Sequence, residues 1–438
     1  MKKILLCYIS LLVTICTPIS ILASTSENNL TPYGGQQAGN PDKSIPAWQG
    51  ASSNPQTLDA EIKHSSTIYQ INKSNIEQYK NILPQGLYAL IYKYPKTMVL
   101  NVFPSFRPAY YPEWIYAFAK KNITSVKIVD GALINTFPAP PFIHPKDGVQ
   151  VVWNHLLAFK GVSAELKVLE VTRRKSNKYT VFNSKVSLYV NYYNRARAPS
   201  QRDAPYVYYL SKILSPSKAA GGALLLHEQV NASVKPRQAW AYLPGQRRIR
   251  RIPGVDFDSP MQISESIRFA DEINLFNGSI DHYNWRIIAK KELIVPYNNM
   301  LLSKKLSENN IIDKELITKN HPNPQYLRYE KHRVWVVEGI LKAGKNHAYK
   351  RRRFYIDEDS WLILVAENYN SKNKLWRVSA SYTKQYHNIP AIFTTADVFH
   401  DLQDEIYYFQ GIEKLTTSET LPPKAKFMPS ALRRGNIR

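Results

Sequence analysis

Cysteine is almost absent from this 438-residue chain. The two cysteines, Cys7 and Cys16, both lie within residues 1–23, so the remainder of the chain has no thiol. This absence excludes disulfide bonds, cysteine nucleophiles and cysteine-ligated metal sites from that remainder. We therefore expect core burial alone to stabilise the fold, and about 410 residues are enough to bury a large core.

Apolar runs long enough to cross a membrane are also missing, because no stretch after residue 23 approaches the roughly 18–20 apolar residues that a spanning helix needs. Residues 1–23 themselves have a charged start at Lys2 and Lys3, an apolar middle and a small residue, Ala23, at the end. This order is typical of a secretory signal peptide, and Pro18 within it argues against a membrane anchor. The sequence thus predicts export to the periplasm, where association with the outer membrane is an option.

The common catalytic signatures are missing as well. The chain has no GxSxG nucleophile elbow and no phosphate-binding P-loop. A zinc-protease helix needs a second histidine four residues after the first, but Asn231 stands at that distance from His227. The sequence therefore predicts a protein that is not an enzyme and that has no cofactor and no metal.

Two acidic groups come nearest to a catalytic or metal-binding pattern. Residues 357–359 are all acidic and lie between two strand-like runs, so we interpret them as a solvated turn. Asp401 and Asp404 lie beside His400, and we interpret this stretch as the surface of a short helix over residues 397–402. Neither group is predicted to perform chemistry.

Positive charge is in large excess. The chain has 58 lysines and arginines against 34 aspartates and glutamates, which gives a net charge of +24. Export argues against nucleic acid as the partner, whereas acidic lipid head groups or a membrane surface would meet such a protein in the envelope. The alternative is a solvated positive surface that only aids solubility.

The hydrophobic pattern is mainly that of β-strands. Roughly ten long runs of alternating apolar and polar residues, rich in β-branched and aromatic side chains, follow residue 166. They are joined mostly by short turns, and no alternation of strands with helices appears. A sheet of this size must curl. The predicted fold is therefore α+β but mainly β: one large curved antiparallel sheet, an unclosed half-barrel, with short helices covering its concave face.

The domain layout follows from the same pattern. We predict a signal peptide over residues 1–23 and an extended segment over 24–54. A single domain then covers 55–416, with a helical part over 55–160 and the sheet over 161–416. Residues 417–438 are basic and are predicted to form a disordered tail.

A hairpin over residues 237–253 combines aromatic and basic side chains. Trp240 and Tyr242 alternate with alanine on the first arm, and the turn at Pro244 leads into a basic second arm. A second basic run begins at Lys350. The arginines of both runs are candidates for an anionic partner, although alternation places some of them inside, paired with Glu330 or Glu338. These candidates are Arg247, Arg248, Arg250, Arg251, Arg351, Arg352 and Arg353.

Seven stretches carry a family resemblance over about residues 30–405. In chain order they are LTPYGGQQAGNPDKSIPAW, YPEWIYAFAKKN, VVWNHLLAFKG, AWAYLPGQRRIRRIPGVDFDSP, FNGSIDHYNWRIIAKKELIVPYNN, HRVWVVEGILKAGKNHAYKRRRFYIDEDSW and ENYNSKNKLWRVSASY. The chain resembles an exported Gram-negative family of unknown function in the outer-membrane lipoprotein-sorting-protein-like group. The resemblance implies a Lol-type carrier fold that holds acyl chains or other hydrophobic cargo. It also implies work beside a resistance-nodulation type transporter and an outer-membrane protein.

The leading functional hypothesis is a periplasmic carrier or chaperone for a lipid, a lipoprotein acyl chain or another hydrophobic molecule, with residues 263–276 as a helical lid. An accessory subunit docked on an envelope transporter is the alternative, and a hydrolase of envelope lipid or glycan is a third. The candidates for the hydrophobic site are Trp240, Tyr242, Trp335, Trp376, Ile267 and Phe276.

Overall fold

The structure is a computed structural model that describes residues 29–50, 55–129, 131–176, 178–197, 205–230, 235–252, 257–308 and 315–434. The predicted signal peptide lies outside these residues. Within them, no helix is both long enough and apolar enough to cross a membrane.

Short helices precede and interrupt a long series of strands. The α-helices are α1 Pro55–His64, α2 Ile76–Tyr79, α3 Gln85–Lys93, α4 Glu113–Ser125, α5 Gly148–Leu156, α6 Met300–Ser307 and α7 Ala431–Arg434. The first strands are β1 Tyr69–Ile71, β2 Leu100–Val102, β3 Lys127–Val129, β4 Ala132–Ile134, β5 Ser163–Arg173, β6 Tyr179–Tyr189, β7 Val207–Ser215, β8 Ala223–Glu228, β9 Gln238–Leu243 and β10 Arg248–Ile252. The later strands are β11 Tyr283–Pro296, β12 Tyr329–Leu341, β13 Arg351–Asp357, β14 Ile363–Tyr369, β15 Leu375–Tyr386, β16 Ala391–Asp401 and β17 Ile406–Ser418.

One 15-stranded sheet contains every strand named above except β3 and β4. Its order is β1-β2-β12-β13-β14-β15-β16-β17-β5-β6-β7-β8-β9-β10, and β11 pairs along β12. The pairing is antiparallel apart from one short parallel contact between β2 and β12. In the described residues no pairing joins β10 back to the other end, so the sheet is open. The prediction of a mainly β fold with one large, curved, unclosed sheet is confirmed.

The sheet register corrects one local prediction. The predicted helix over residues 397–402 is wrong, because β16 continues to Asp401, which pairs with Arg377 of β15 and Ile406 of β17. The side chains of this stretch alternate between the two faces of a strand in the interior of the sheet. Its acidic residues led to the incorrect prediction of a surface helix.

Elements pack on both faces of the sheet. One face carries α5 and the segment 257–282, which we call the strap, and we call this face the strap face. The opposite face carries α3 and α6. At Gly86 of α3 a Cβ would lie 2.7 Å from a methyl group of Val378, so the lack of a side chain permits this close approach.

The strap is not the helix that its apolar spacing predicts. It consists of short 3₁₀ turns at Gln262–Ser264, Ile273–Leu275 and Ile280–His282. Four strap residues have positive φ angles, which no α-helix accommodates: Glu265, Ser266, Asn274 and Leu275. The strap therefore crosses the sheet as an irregular band rather than as a helical lid.

Both end segments pack on the body. Near the start, Tyr33 and Ile45 are buried within the segment predicted to be extended. Near the end, the tail predicted to be disordered is folded over residues 417–434, where Phe427 is fully buried against Tyr189 and Tyr208. These apolar contacts outweigh the basic composition that suggested disorder.

Candidate functional site

Buried ion pairs fasten the strap to β12–β15. The Arg352 guanidinium, which is fully buried, binds both carboxylate oxygens of Asp271 at 2.6 and 3.0 Å. Burial by itself would raise the pKa of Asp271, but Arg352 and His347 outweigh it and hold this pKa well below its ordinary value. We call this part of the strap face the packed half, because side chains fill it.

Further contacts fix the strap on the same side. Glu272 accepts from the Asn368 amide at 2.9 Å, and Arg377 donates to the Ser266 carbonyl at 3.0 Å. His155 of α5 contacts the Phe276 carbonyl through Nε2 at 3.0 Å. Burial lowers the pKa of His155 to about 3, so the ring is neutral near pH 7 and serves as a structural donor.

The acidic turn at residues 357–359 is not solvated, as the sequence suggested, but buried. The Arg107 guanidinium holds both oxygens of Asp359 at 2.7 and 2.8 Å, and Lys290 lies 2.6 Å from Glu358. One ligand atom each from His332, Asp357 and Asp359 lies within 4.8 Å of the others, which is a distance a metal ion could bridge. Because Arg107 already occupies both oxygens of Asp359, the group is an ion-pair cluster in this state.

The histidine and aspartate at the end of β16 are also buried. Asp401 accepts from Trp376 Nε1 at 2.8 Å and from Arg377 Nε at 3.0 Å. Burial lowers the pKa of His400 to about 3. The backbone N–H groups of Gln403 and Asp404 also donate to Asp401, so four donors hold this carboxylate among the ion pairs of the packed half.

The other part of the strap face is hollow. Three adjacent cavities of about 80, 70 and 240 Å³ lie between the strap and strands β16, β17 and β5–β9. Tyr209 lines all three, Leu188 lines the first two, and Arg268 lines the last two. We call these three neighbouring spaces together the cleft and this part of the strap face the hollow half.

The cleft walls are mostly apolar. A group of buried side chains separate from the main core forms much of them: Ala164, Leu166, Val168, Val186, Phe393 and Ile412. Few acidic, basic or histidine side chains interrupt these walls: His155, Lys160, Glu170, Glu228, Arg268 and Asp397. Leu243, at the rim of the 240 Å³ cavity, is 37% exposed, so the cleft reaches the surface there. Such a space suits an apolar ligand with few polar groups.

Four arginines lie on the hairpin that carries Leu243: Arg247, Arg248, Arg250 and Arg251, which we call the arginine edge. All four are exposed, and among the described residues none has a side-chain partner. Arg248 pairs across the hairpin with Leu243, and Arg250 with Ala241. Because cross-strand partners share a face, these two arginines lie on the same face as the cavity lining. Strand β10 is also the last strand of the sheet path.

The predicted hydrophobic-site residues are not brought together. Phe276 lines the 80 Å³ cavity and Tyr242 the 240 Å³ cavity. Trp240 lies on the opposite face, where its ring is 4.7 Å from that of His227. The remaining three lie outside the cleft: Trp335 stacks near Trp361, Trp376 binds Asp401, and Ile267 is buried in the main core.

The second arginine run is largely neutralised inside the protein. Arg351 and Arg353 bind Glu338 at 2.9 and 2.8 Å, which is the internal pairing that the sequence left open. Arg352 is turned to the strap face and is bound by Asp271, so it is not available to an external anion. No local sequence pattern points to Lys160, Arg268 or Asp397, because only the long-range pairing of strands brings them to one cleft.

Comparison with known proteins now identifies the family. The family model described as a protein of unknown function, DUF1329, matches residues 70–433. The chain belongs to this family. Its relative PA3922, an uncharacterized protein of Pseudomonas aeruginosa, is 33% identical over 427 residues, which cover 94% of this chain and 92% of that protein. The family membership predicted from the sequence is confirmed.

Two solved structures are similar to this chain at low sequence identity. A DUF1329 family protein of Desulfovibrio piger is 15% identical, with a TM-score of 0.44, and the match covers 62% of this chain and 92% of that one. A LolA superfamily protein of Nitrosomonas europaea is 11% identical, with a TM-score of 0.38, and the match covers 65% and 98%.

Proposed function

We propose that this DUF1329 protein is a periplasmic carrier that binds a lipid, a lipoprotein acyl chain or another hydrophobic molecule in the cleft and passes it between envelope components. The observation that supports this proposal is the hollow half itself, with apolar walls and an opening beside Leu243. Side chains leave this space unfilled, whereas buried ion pairs hold the strap along the packed half. The carrier would move its cargo without changing it chemically.

Binding would draw on apolar burial. Each methylene group moved from water into the cleft contributes about 0.8 kcal/mol. The strap is already fastened along the packed half through Asp271, so the cleft exists before the ligand arrives. A preformed site avoids the entropy cost of ordering a loop on binding.

Loading would take place at the arginine edge. Each arginine near an anionic membrane surface contributes about 1 kcal/mol, and salt weakens this attraction. Arg248 and Arg250 flank the cavity opening, so a membrane held at this edge would lie next to the entrance of the cleft.

A neutral fluorescent probe tests the proposal. N-phenylnaphthylamine should bind the mature protein with enhanced fluorescence, and lipids extracted from Gram-negative envelopes should displace it. Leu224→Glu places a charge in the 240 Å³ cavity and should abolish probe binding. Leu301→Glu is the matched control, because Leu301 is 53% exposed on α6, away from the cleft. Equal binding by both variants would reject the cleft as the site.

A second candidate function is a docking subunit of an envelope transporter of the resistance-nodulation type. The position of the arginine edge on a terminal strand favours it, because such an edge is accessible to an acidic partner. Capture of a transporter from envelope extracts should then fail when all four arginines are changed to glutamine. Capture that survives this change would count against docking at this edge.

A further inference from the structure

Arg268 of the strap is a buried cation without a buried anion in contact. Its side chain is 3% exposed, and its Nη1 donates to Gln410 Oε1 at 3.0 Å. Among the described residues no carboxylate lies within ion-pair distance of it, and its Nε has no acceptor. The guanidinium lines both the 70 and the 240 Å³ cavities, at the junction of the two.

The other arginines inside the strap face differ in this respect. Each of them contacts a carboxylate: Arg352 binds Asp271, Arg377 binds Asp401 and Arg237 binds Glu228. A buried charge without a partner costs several kcal/mol, so proteins retain one chiefly where something binds it. Arg268 therefore differs from the paired arginines of the packed half, because Glu170 and Glu272 stabilise its charge only from a distance and no carboxylate contacts it.

A second cation faces the same space. Lys160 lines the 80 Å³ cavity, and among the described residues its ammonium group has no hydrogen-bond or ion-pair partner. Burial lowers the pKa of Lys160 to about 8, although the more distant Asp397 counteracts this. Two cations without contacting anions thus line one apolar cleft.

The nearest carboxylates do not serve as the missing anion. Glu170 is occupied by the hydroxyls of Ser184 and Tyr408, at 2.8 and 2.5 Å. Asp397 lines the 70 Å³ cavity, is 4% exposed, and has no partner for its Oδ1 among the described residues. Burial raises the pKa of Asp397 to about 6, and the negative charge of an entering anion would raise it further, so Asp397 would take up a proton from water and donate a hydrogen bond to that anion.

We infer that the ligand of the cleft is an amphiphile with an acidic head group, a carboxylate or a phosphate, and that Arg268 binds this head while the apolar tail lies against Leu166, Val168 and Ile412. This inference rests on the proposed carrier function, because the tail needs the apolar cleft. A guanidinium offers paired N–H donors that fit either oxyanion. Lys160 adds a second positive charge at the far end of the same space.

A fatty acid and its methyl ester separate the head group from the tail. Fluorescence titration with cis-parinaric acid and with its methyl ester should show that Arg268→Gln weakens binding of the acid at least tenfold and leaves the ester unchanged. Arg268→Lys, which keeps the charge, should restore most of the affinity for the acid. Arg286→Gln is the control, because Arg286 is exposed and lies outside the cleft. Equal losses for acid and ester would overturn the inference.

Competition on the wild-type protein avoids any variant that fails to fold. Dodecanoate, dodecyl phosphate and dodecanol should each be tested against the bound methyl ester. Stronger displacement by dodecanoate than by dodecyl phosphate would indicate a free fatty acid, and the reverse order would indicate a phosphate head group. Equal displacement by dodecanol would overturn the inference but leave the carrier proposal intact. If no probe binds at all, both proposals fail.

Discussion

The packed half and the hollow half share one sheet face and one strap, but they are built differently. In the packed half, buried charged side chains meet opposite charges, as Arg352 and Arg377 do with Asp271 and Asp401. In the hollow half, the walls are apolar, open space remains, and Arg268 meets no contacting carboxylate. The packed half holds the strap in place. The hollow half leaves open space beneath the strap, and a positive charge without a contacting carboxylate.

This difference separates structure from function within one layer. A strap that is fixed in the packed half can cover the cleft in the hollow half without collapsing into it. The buried charges of the packed half are therefore best explained as contacts that hold the strap in place, although they resemble a catalytic centre more than the cleft does. The plain apolar surface of the hollow half is the better candidate for binding. The following changes test that division, from the largest expected effect on stability to the smallest.

Breaking the ion pair between Arg352 and Asp271 should have the largest effect on stability. Arg352→Met leaves the buried carboxylate of Asp271 with His347 but no arginine beside it, and it should lower the free energy of unfolding by about 3–5 kcal/mol. Urea denaturation measures this. The double variant Arg352→Met/Asp271→Leu removes both charges and should recover much of the loss. A single variant as stable as the wild type would contradict the role of this pair.

Two buried aspartates should respond to pH with opposite signs. The folded-state pKa of Asp397 is raised from 3.8 to about 6, so its stability contribution is greatest below pH 3.8 and falls as the pH rises through 6. Asp397→Asn should therefore stabilise the protein at pH 7.5, by on the order of 3 kcal/mol at most, with little effect at pH 3.5.

The pKa of Asp271 is lowered instead, so its contribution is present above its ordinary pKa of 3.8 and is lost as the pH falls below that value. Asp271→Asn should thus destabilise the protein at pH 7.5, and the loss should shrink in acid. Thermal unfolding at the two pH values measures both variants. The same sign for both would contradict the contrast between the halves.

Replacing a small side chain by a larger one should distinguish the filled packed half from the open cleft. Ala366 in the packed half is fully buried, and Ala366→Phe should cost about 1–3 kcal/mol or more through overpacking. Ala241 lines the 240 Å³ cavity, so Ala241→Phe should cost less than about 1 kcal/mol yet reduce probe binding. Chemical denaturation together with N-phenylnaphthylamine titration gives both results. Equal destabilisation at the two sites would mean that the cleft is not open space.

Neutralising the arginine edge should barely affect folding. Each of Arg248→Gln and Arg250→Gln should change the free energy of unfolding by no more than about 0.5 kcal/mol, because both side chains are exposed. Binding to vesicles that contain anionic lipid should weaken, and the residual binding should depend less on salt. Lys304→Gln on α6 is the matched control. Unchanged vesicle binding would show that the arginine edge does not hold a membrane during loading.

The sheet was predictable because its signal is local. Alternating runs joined by short turns, such as β13 to β15, need no distant partner to be read as strands. The strap was mispredicted because apolar residues such as Ile263 and Ile267 repeat at helical spacing. Positive φ angles at Glu265 and Ser266 are invisible in that pattern.

The buried charges and the cleft were not predictable from local pattern. The acidic turn at 357–359 reads as solvated unless its partner Arg107, some 250 residues away in the chain, is known. Lys160, Arg268 and Asp397 belong to separate segments and meet only through the order in which β16, β17 and β5 pair. The resemblance to a carrier-like family indicated that a cavity should exist, but only the register of the sheet places it beneath the strap.

Native mass spectrometry of the mature protein, purified from the periplasm of its own host, tests the central claim most directly. The carrier hypothesis predicts a bound amphiphile at one per protein, released by organic solvent, acidic by fragmentation, and absent from Leu224→Glu but present in Leu301→Glu. A protein without any bound lipid in every preparation, which also takes up none when it is incubated with envelope lipids, would contradict it.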